Sequence, residues 1–300
     1  MSENGFVDEA AIADGAAATV VNEQVRREPA AGLRGFVDSY VGYRHAGLEP
    51  GRHRGLPSPY LTLIFTLNEP LDILAHPDLA QPSDSYDSLL GGLHTVPAII
   101  THDGRQSGIQ LAVGPLGARA LLGVPASELA GHDFPAEDVL GPQAREISDR
   151  LRCAANWAER FDVLDEALMA RIARADGRTR VAISAEVSFT WRRLLATGGL
   201  APVSALAAET GWSDRHLRSM FRAETGLSPK AAARVIRFDR ARRALQRRVA
   251  AGERPALADI AASYGYFDQA HLDREFGLIA GCSPTRWLAE EFRNFQATAA

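Results

Sequence analysis

Hydrophobic and polar residues follow two different periods along this chain. Between residues 33 and 113 apolar side chains recur at every second position, as at Leu61, Leu63, Phe65 and Leu67. A period of two predicts half-buried β-strands. Beyond Gly114 the apolar side chains recur at every third or fourth position, which predicts helices.

The strand-like region divides into five segments because Pro and Gly residues separate them. The predicted strands cover residues 37–43, 61–67, 71–74, 96–101 and 108–113. Several short strands at this spacing predict a small antiparallel barrel or sandwich.

Three helices are predicted next, over residues 115–122, 142–153 and 160–175. In the third, Leu164, Leu168 and Ile172 form an i, i+4 stripe. Such a stripe is more typical of an intradomain core than of a dimer seam.

One pattern then occurs twice. VSALAAETGWSDRHLRSMFRAETGLSP covers residues 203–229, and LADIAASYGYFDQAHLDREFGLIAGCSP covers residues 257–284. The offset between equivalent residues is 54 up to Gly211 and Gly265, and 55 from Leu217 and Leu272 onward. The second copy therefore holds one inserted residue.

Each copy predicts two short helices that meet across a glycine turn. Gly211 and Gly265 follow apolar helical runs, where a left-handed residue ends a helix without a Cβ penalty. Ser213 and Asp268 are placed as N-caps of the next helices. The predicted inward residues of those helices are Leu217, Met220, Phe221, Leu272 and Phe276, and the predicted core anchors elsewhere are Trp212, Phe238, Phe267 and Trp287. This is the helix-turn-helix design, whose second helix enters the major groove of DNA.

At these residues the chain resembles the AraC/XylS family of bacterial transcription regulators, which carry two such units in one domain. The resemblance covers roughly residues 182–292 and includes a segment at 229–241 that is similar to the family's linking helix. Ser228 as N-cap and Pro229 at the first position start that helix, and Gly252 with Pro255 ends it. About twenty helical residues span roughly 30 Å, close to the roughly 34 Å between successive major-groove faces.

The predicted fold class is α+β, with a strand-rich barrel-like or sandwich-like domain, then helices, then an all-α DNA-binding domain. We expect a disordered arm over residues 1–32, because this segment lacks a sustained period and holds one aromatic residue. A sensor or dimerisation domain is expected over 33–177, with its hinge at 175–178. The AraC-type domain is expected over 182–292, with helix-turn-helix units at 203–226 and 257–281.

The overall charge of −4 hides an uneven distribution. Residues 184–291 hold 16 basic and 12 acidic residues, whereas residues 1–183 hold 16 basic and 25 acidic ones. The basic excess therefore falls on the segment that should meet phosphate.

The resemblance implies candidate DNA contacts, position by position. In the first unit Arg215, Arg218 and Ser219 fall where base-edge readers lie, and Arg222 is on the same side. In the second unit Gln269 and Arg274 are the candidate readers, with Gln suited to adenine. Two residues of the second unit depart from the family pattern: Ala270 stands where the family often has a polar contact, and Asp273 is acidic where phosphate would lie. These departures predict that the first unit contributes most to sequence recognition.

His216 and His271 occupy equivalent positions in the two units. We interpret them as packing residues or phosphate contacts and not as metal ligands, because a linking helix separates them. Arg237 is a further DNA-binding candidate. With Lys230, Arg234 and Arg240 it lies on the linking helix, where phosphate contacts, interhelical salt bridges and a solvated charged face remain alternatives.

The N-terminal domain offers no catalytic motif, and its six histidines lack metal-ligand spacing. We therefore expect no enzyme activity and no cofactor, with the effector-binding residues unknown. The two cysteines, Cys153 and Cys282, have no ligand spacing, and no apolar run of eighteen residues is present, so a cytoplasmic protein is expected.

The resemblance implies double-stranded DNA as a partner, with RNA polymerase, a small effector and a second copy of the chain as further candidates. Two other classes stay open, a metal-dependent barrel enzyme with a DNA-binding appendage and a non-specific DNA-binding protein.

Overall fold

A computed structural model describes residues 20–175 and 183–296 of the 300-residue chain. The described strands are β1 (Val21–Arg27), β2 (Val37–Ala46), β3 (Gly51–Gly55), β4 (Leu61–Thr66), β5 (Leu71–Ala75), β6 (Asp84–Tyr86), β7 (Ser88–Gly91), β8 (Ala98–His102), β9 (Gln106–Val113) and β10 (Asp133–Pro135). The described helices are α1 (Ala118–Leu122), α2 (Ala136–Leu140), α3 (Gln143–Cys153), α4 (Trp157–Ala175), α5 (Ala185–Ala196), α6 (Val203–Thr210), α7 (Asp214–Thr225), α8 (Pro229–Ala250), α9 (Leu257–Ser263), α10 (Gln269–Ala280) and α11 (Pro284–Gln296). Short 3₁₀ turns precede β2 and α1 and follow α1.

The strands form two antiparallel sheets. The first has the order β1-β2-β9-β4-β7-β10, and the second has the order β3-β8-β5-β6. Leu63 of β4 pairs with Leu111 on one side and with Leu90 on the other, which fixes the register at the centre of the first sheet. Among the described residues both sheets end in unpaired edge strands, so the domain is a sandwich and not a closed barrel.

The six-stranded sheet has apolar residues on both faces, because helices cover one face and the second sheet covers the other. The helical side holds Leu61, Leu63, Phe65, Leu164 and Leu168. The side between the sheets holds Ile64, Leu71, Ile73, Tyr86, Leu89 and Ile100. Gly42 of β2 lies under the indole of Trp157, where a Cβ would come within 2.5 Å of the ring. The approach of α4 to the sheet therefore requires glycine at that position.

The five predicted strands are all present, with boundaries shifted by a few residues. Five further strands, β1, β3, β6, β7 and β10, lack the alternation by which the others were predicted. The predicted disordered arm is wrong for Val21–Arg27, because this segment pairs along its whole length with β2. Residues 1–19 of that arm lie outside the described residues, as do residues 176–178 of the predicted hinge.

The three helices predicted between the sandwich and the C-terminal region are present as α1, α3 and α4, whereas the short helix α2 was not predicted. The i, i+4 stripe of α4 belongs to the domain core, since Leu164 and Leu168 are buried and Ile172 packs against them. The predicted α+β class, with a strand-rich domain followed by helices and an all-α region, is confirmed.

Candidate nucleic-acid interface

Helices α6 and α7 form the first helix-turn-helix unit, and local chemistry fixes their junction. Gly211 ends α6 with φ 71°, in the left-handed region that favours glycine. The Ser213 side chain accepts a hydrogen bond from the backbone N–H of His216, which caps α7. Both predicted roles are confirmed.

One face of α7 is buried and the opposite face is open to solvent. Leu217 and Phe221 are fully buried, as predicted. Met220 was predicted to point inward and is 39% exposed, so that prediction is wrong. The buried residues in the last turn of α7 are Glu224 and Thr225, because the N-terminal domain covers that end of the helix.

The four residues predicted to contact DNA in the first unit share the open face of α7. Arg215, Arg218, Ser219 and Arg222 are all exposed. Arg218 also lies 3.4 Å from Asp214, one turn earlier. This face, hereafter the first reading face, carries three guanidinium groups and one hydroxyl, groups that can donate to guanine or to phosphate.

Helices α9 and α10 form the second unit, with a turn that is one residue longer. The backbone N–H of Tyr266 donates to the Ala261 carbonyl, just as the N–H of Trp212 donates to the Ala207 carbonyl in the first unit, both at 3.0 Å. Tyr266 is therefore the equivalent of Trp212, and the inserted residue is Phe267.

Phe267 was predicted to be a core anchor, and that prediction is wrong. Tyr266 is buried in the core of the second unit and occupies the place that Phe267 was expected to fill. The Phe267 side chain is 93% exposed as a result. The other predicted anchors differ in depth: Phe238 and Trp287 are buried, and Trp212 is partly buried.

Helix α10 starts as predicted, with Asp268 accepting a hydrogen bond from the His271 N–H. Gln269 and Arg274 are exposed, and so is Ala270. His271 is half-buried: its Nδ1 accepts from the Phe267 N–H at 3.2 Å, and its ring packs edge-on against Tyr266. The exposed side of α10, hereafter the second reading face, is thus less charged than the first.

Helix α8 joins the two units as a continuous rod of 22 residues. The Ser228 side chain accepts from the Ala231 N–H and Pro229 occupies the first turn, as predicted. At 1.5 Å per residue the rod is about 33 Å long.

The arginines of α8 have different environments. Arg234 donates two hydrogen bonds to Glu275 of α10, at 2.8 and 3.1 Å. Arg242 and Arg243 both pair with Asp239 on their own helix. Arg237 is half-buried with its guanidinium 5.8 Å from the centre of the Tyr266 ring. Arg234 therefore joins the linking helix to the second unit, whereas Arg237 and the exposed Lys230 have no anionic partner among the described contacts.

A groove of about 680 Å³ lies between the two units. It is bounded by the start of α6, by α8 and by α10. Its polar lining is Lys230, Arg234, Arg237, His271 and Glu275, and its apolar lining includes Leu200 and Leu278. The groove therefore places cations of the linking helix between the start of α6 and helix α10.

The N-terminal domain holds the end of the first reading helix directly. Arg119 of α1 donates two hydrogen bonds to Glu224, at 2.8 and 2.9 Å. The Ser127 hydroxyl donates to the Ala223 carbonyl at 2.6 Å. Sequence reasoning missed these residues, because no local pattern connects positions that lie about a hundred residues apart.

The second unit meets the same domain through a different contact. Arg54 of β3 lies 2.8 Å from Glu290 and 3.1 Å from Glu291, both on α11. Hydrogen bonds from Arg286 and Arg54 lower the pKa of Glu290. Burial raises the pKa of Glu291, against the opposing effect of Arg54.

The two units differ in how their cores connect to the sandwich. The first shares one continuous apolar core with the N-terminal domain, which includes Leu168, Trp191, Leu206 and Phe221. The second has a core of its own around Phe238, Phe276 and Trp287. The N-terminal domain therefore shares its core with the first unit, whereas it contacts the second unit through Leu56 and the ion pairs of Arg54.

In residues 20–175 and 183–296, no group of three or more His, Cys, Asp or Glu side chains is arranged to hold a metal ion. His53 lies with its ring 6.0 Å from that of His102, and burial lowers the pKa of His53 to about 4.

Cys153 is exposed and Cys282 buried, and each is a free thiol. Every helix in the described ranges is too short or too polar to cross a membrane.

Comparison with known families agrees with this geometry. Residues 206–290 match the model of a Helix-turn-helix domain, of AraC type. The C-terminal part of this chain is an AraC-type helix-turn-helix domain. The matched segment begins at Leu206 within α6 and includes the rest of the first unit and the whole second unit, and the protein is a DNA-binding transcription regulator. Residues 25–135, in the sandwich, match a domain of unknown function, DUF6597.

Solved structures of ToxT from Vibrio cholerae share the arrangement of the sandwich and the AraC-type domain. A variant of ToxT is 10% identical and has a TM-score of 0.52, with 88% of this chain and 99% of that chain covered. A 1.65 Å structure of ToxT is 8% identical with a TM-score of 0.50, over 90% of this chain and 98% of that chain. No curated protein matches the chain with significance. The likeness to ToxT shows the fold alone.

Proposed function

We propose that this regulator binds a bipartite operator, with α7 and α10 in neighbouring major grooves on one side of the duplex. The observation that carries the proposal is that both reading faces are open while one rigid helix of about 33 Å joins their units. Successive major-groove faces are roughly 34 Å apart. A rod of matching length lets one chain contact two groove segments without bending the DNA strongly.

In the first unit, Arg215 and Arg218 are proposed as base readers and Arg222 as a phosphate contact. A guanidinium can donate two parallel hydrogen bonds to guanine O6 and N7. Ser219 is exposed on the same face of α7 and can donate or accept a hydrogen bond. The ion pair of Arg218 with Asp214 orients the arginine before DNA is bound.

In the second unit, Arg274 and Gln269 are proposed as polar readers. Gln269 lies at the first position of α10, the end of a recognition helix that faces base edges. His271 is proposed to hold the turn in place, since its Nδ1 already accepts from the Phe267 N–H.

The groove between the units is proposed to receive the DNA backbone that connects the two major-groove segments. Lys230 and Arg237 line it and have no carboxylate partner among the described contacts. Cations on such a surface bind phosphate regardless of sequence, so they add affinity and fix the register.

The N-terminal domain is proposed to control the reading helices, by binding a small effector or by self-association. Arg119 and Ser127 donate hydrogen bonds to the last turn of α7, and Arg54 forms an ion pair with α11. An effector would change DNA binding only if it bound two arrangements of these contacts with different affinities. Contact with RNA polymerase belongs to the same proposal, and so does a cytoplasmic location beside the DNA.

The proposal is tested by selecting bound fragments from random-sequence and genomic DNA with the full chain, followed by hydroxyl-radical footprinting. We expect one enriched motif with two protected segments about 10 base pairs apart on one face of the helix. Equal retention of all sequences would favour the non-specific DNA-binding class instead. Elemental analysis of the same preparation addresses the metal-enzyme class, which requires stoichiometric metal.

A further inference from the structure

The two reading faces differ in chemistry at equivalent positions. Where the first unit has Arg215 and Arg222, the second has Ala270 and Gly277 at an offset of 55. Ala270 is exposed, and a Cβ at Gly277 would meet open space. Nothing in the fold of α10 therefore requires small residues there.

The inserted Phe267 adds a large apolar group to the same end of the helix. It directly precedes the N-cap Asp268, and its ring is 93% exposed. The N-terminal end of a recognition helix is the end that faces base edges. A phenyl ring held in water at this point gains free energy when a partner covers it.

DNA presents one apolar group in the major groove, the 5-methyl of thymine. Alanine and phenylalanine side chains are among those that contact it. The exposed Arg274 on the same helix, together with Lys230 and Arg237 in the adjoining groove, supplies the positive charge that brings a duplex to this surface. Charge and apolar contact thus favour DNA as the occupant of this face.

We propose that the second unit recognises thymine methyl groups through Phe267 and Ala270, whereas the first unit recognises guanine through its arginines. This inference rests on the bipartite operator proposed above. It makes the operator chemically asymmetric, with a guanine-bearing half under α7 and a thymine-bearing half under α10. The two orientations of the protein on one site are then distinguishable by the DNA alone.

The test uses the full chain and the operator selected as described above. Each thymine is replaced singly by deoxyuridine, which removes the 5-methyl group and leaves every hydrogen-bonding group in place. We expect at least one thymine in one half to lose about fourfold in affinity, the equivalent of one buried methyl group. The half belonging to α7 is identified as the one in which Arg218→Ala relaxes base preference, and thymines there should tolerate the replacement.

Phe267→Ala is the matched variant, because the exposed ring contributes little to folding. In this variant the deoxyuridine penalty at one thymine should fall toward onefold, while binding to the α7 half is unchanged. Phe189→Ala serves as control, since Phe189 is a partly exposed phenylalanine of α5 that lies outside both reading faces. Its deoxyuridine penalties should equal those of the native protein.

Specific binding with no deoxyuridine penalty in the α10 half would overturn the inference and leave the bipartite operator standing. So would a Phe267→Ala variant that keeps the full penalty but changes the sedimentation coefficient, since the ring would then serve a protein interface. If no motif is enriched at all, the proposed function fails and takes this inference with it.

Discussion

Arg119 of the sandwich domain donates two hydrogen bonds to Glu224, in the last turn of the first reading helix. The two side chains retain 25% and 11% of their exposure. This ion pair crosses the boundary between the domain that would sense and the helix that would read. The N-terminal domain therefore contacts directly the helix whose exposed face is proposed to bind DNA.

Removing Arg119 should destabilise the protein by about 1.5–3 kcal/mol, because the Glu224 carboxylate is left poorly solvated without its partner. Urea unfolding of Arg119→Ala measures the change. In the double variant Arg119→Ala with Glu224→Gln, part of the loss should be recovered. The matched control is Arg145→Ala, whose ion pair with Glu137 is 74% and 42% exposed. It should change stability by less than about 1 kcal/mol, and an equal loss in both would contradict a special role for Arg119.

Gly211→Val should lower the melting temperature. A Cβ there would meet open space, so the cost is conformational: an L-residue in the left-handed region loses roughly 1–2 kcal/mol, and a β-branched one more. Gly277→Ala is the contrast, because Gly277 lies within α10 with open space around its Cβ. The free energy of unfolding of that variant should increase by about 0.5–1 kcal/mol. An unaltered melting temperature in Gly211→Val would show that the turn tolerates other conformations.

Arg218→Ala should cost roughly 1–3 kcal/mol at one base pair and relax preference there. Competition binding against operators with every single substitution measures it. Uniform weakening across all sequences would make Arg218 a phosphate contact. Arg145→Ala again supplies the control, since α3 lies in the N-terminal part of the chain.

Lys230→Ala should weaken binding to all sequences alike and reduce the slope of log affinity against log salt by about one. Lys230 is exposed at the start of α8 and lines the groove between the units. Titration of one operator at four salt concentrations gives the slope. A slope equal to that of the native protein would place the DNA backbone elsewhere.

Acid should destabilise the fold through its N-terminal histidines. Burial lowers the pKa of His53 to about 4, helped by His102 and His45, whose own pKa values burial also lowers. In the unfolded chain each titrates near 6.5. Below that pH the unfolded state binds more protons, so the free energy of unfolding falls as pH decreases, by up to about 1.4 kcal/mol per pH unit for the buried His53. Urea midpoints at pH 7.5, 6.5 and 5.5 should decrease, and His53→Gln should flatten the trend between pH 6.5 and 4.

The AraC-type domain was predictable because its signals are local. A glycine that ends α6 and a serine that caps α7 act within a few residues, so the sequence carries them directly. Strand β3, GRHRG, has no apolar alternation and is a strand only because β8 pairs with it. The hydrogen bonds from Arg119 to Glu224 likewise depend on tertiary contact, so no local pattern predicts them.

Phe267 marks where the repeat itself misled the prediction. The repeat predicted one inserted residue between Gly265 and Leu272 without identifying it, and Phe267 was predicted to be a core anchor. The core of the second unit holds Tyr266 instead, and backbone hydrogen bonding makes Tyr266 the equivalent of Trp212.

The separate core of the second unit has a kinetic consequence. A segment with its own core can open or detach as a cooperative unit while the rest of the protein stays folded. If α10 leaves its groove while α7 remains bound, α8 keeps it at an effective concentration on the order of millimolar near the duplex. Dissociation from DNA should then proceed in two stages, with frequent rebinding of α10. Competitor DNA should accelerate dissociation by binding to the second reading face once that face is free.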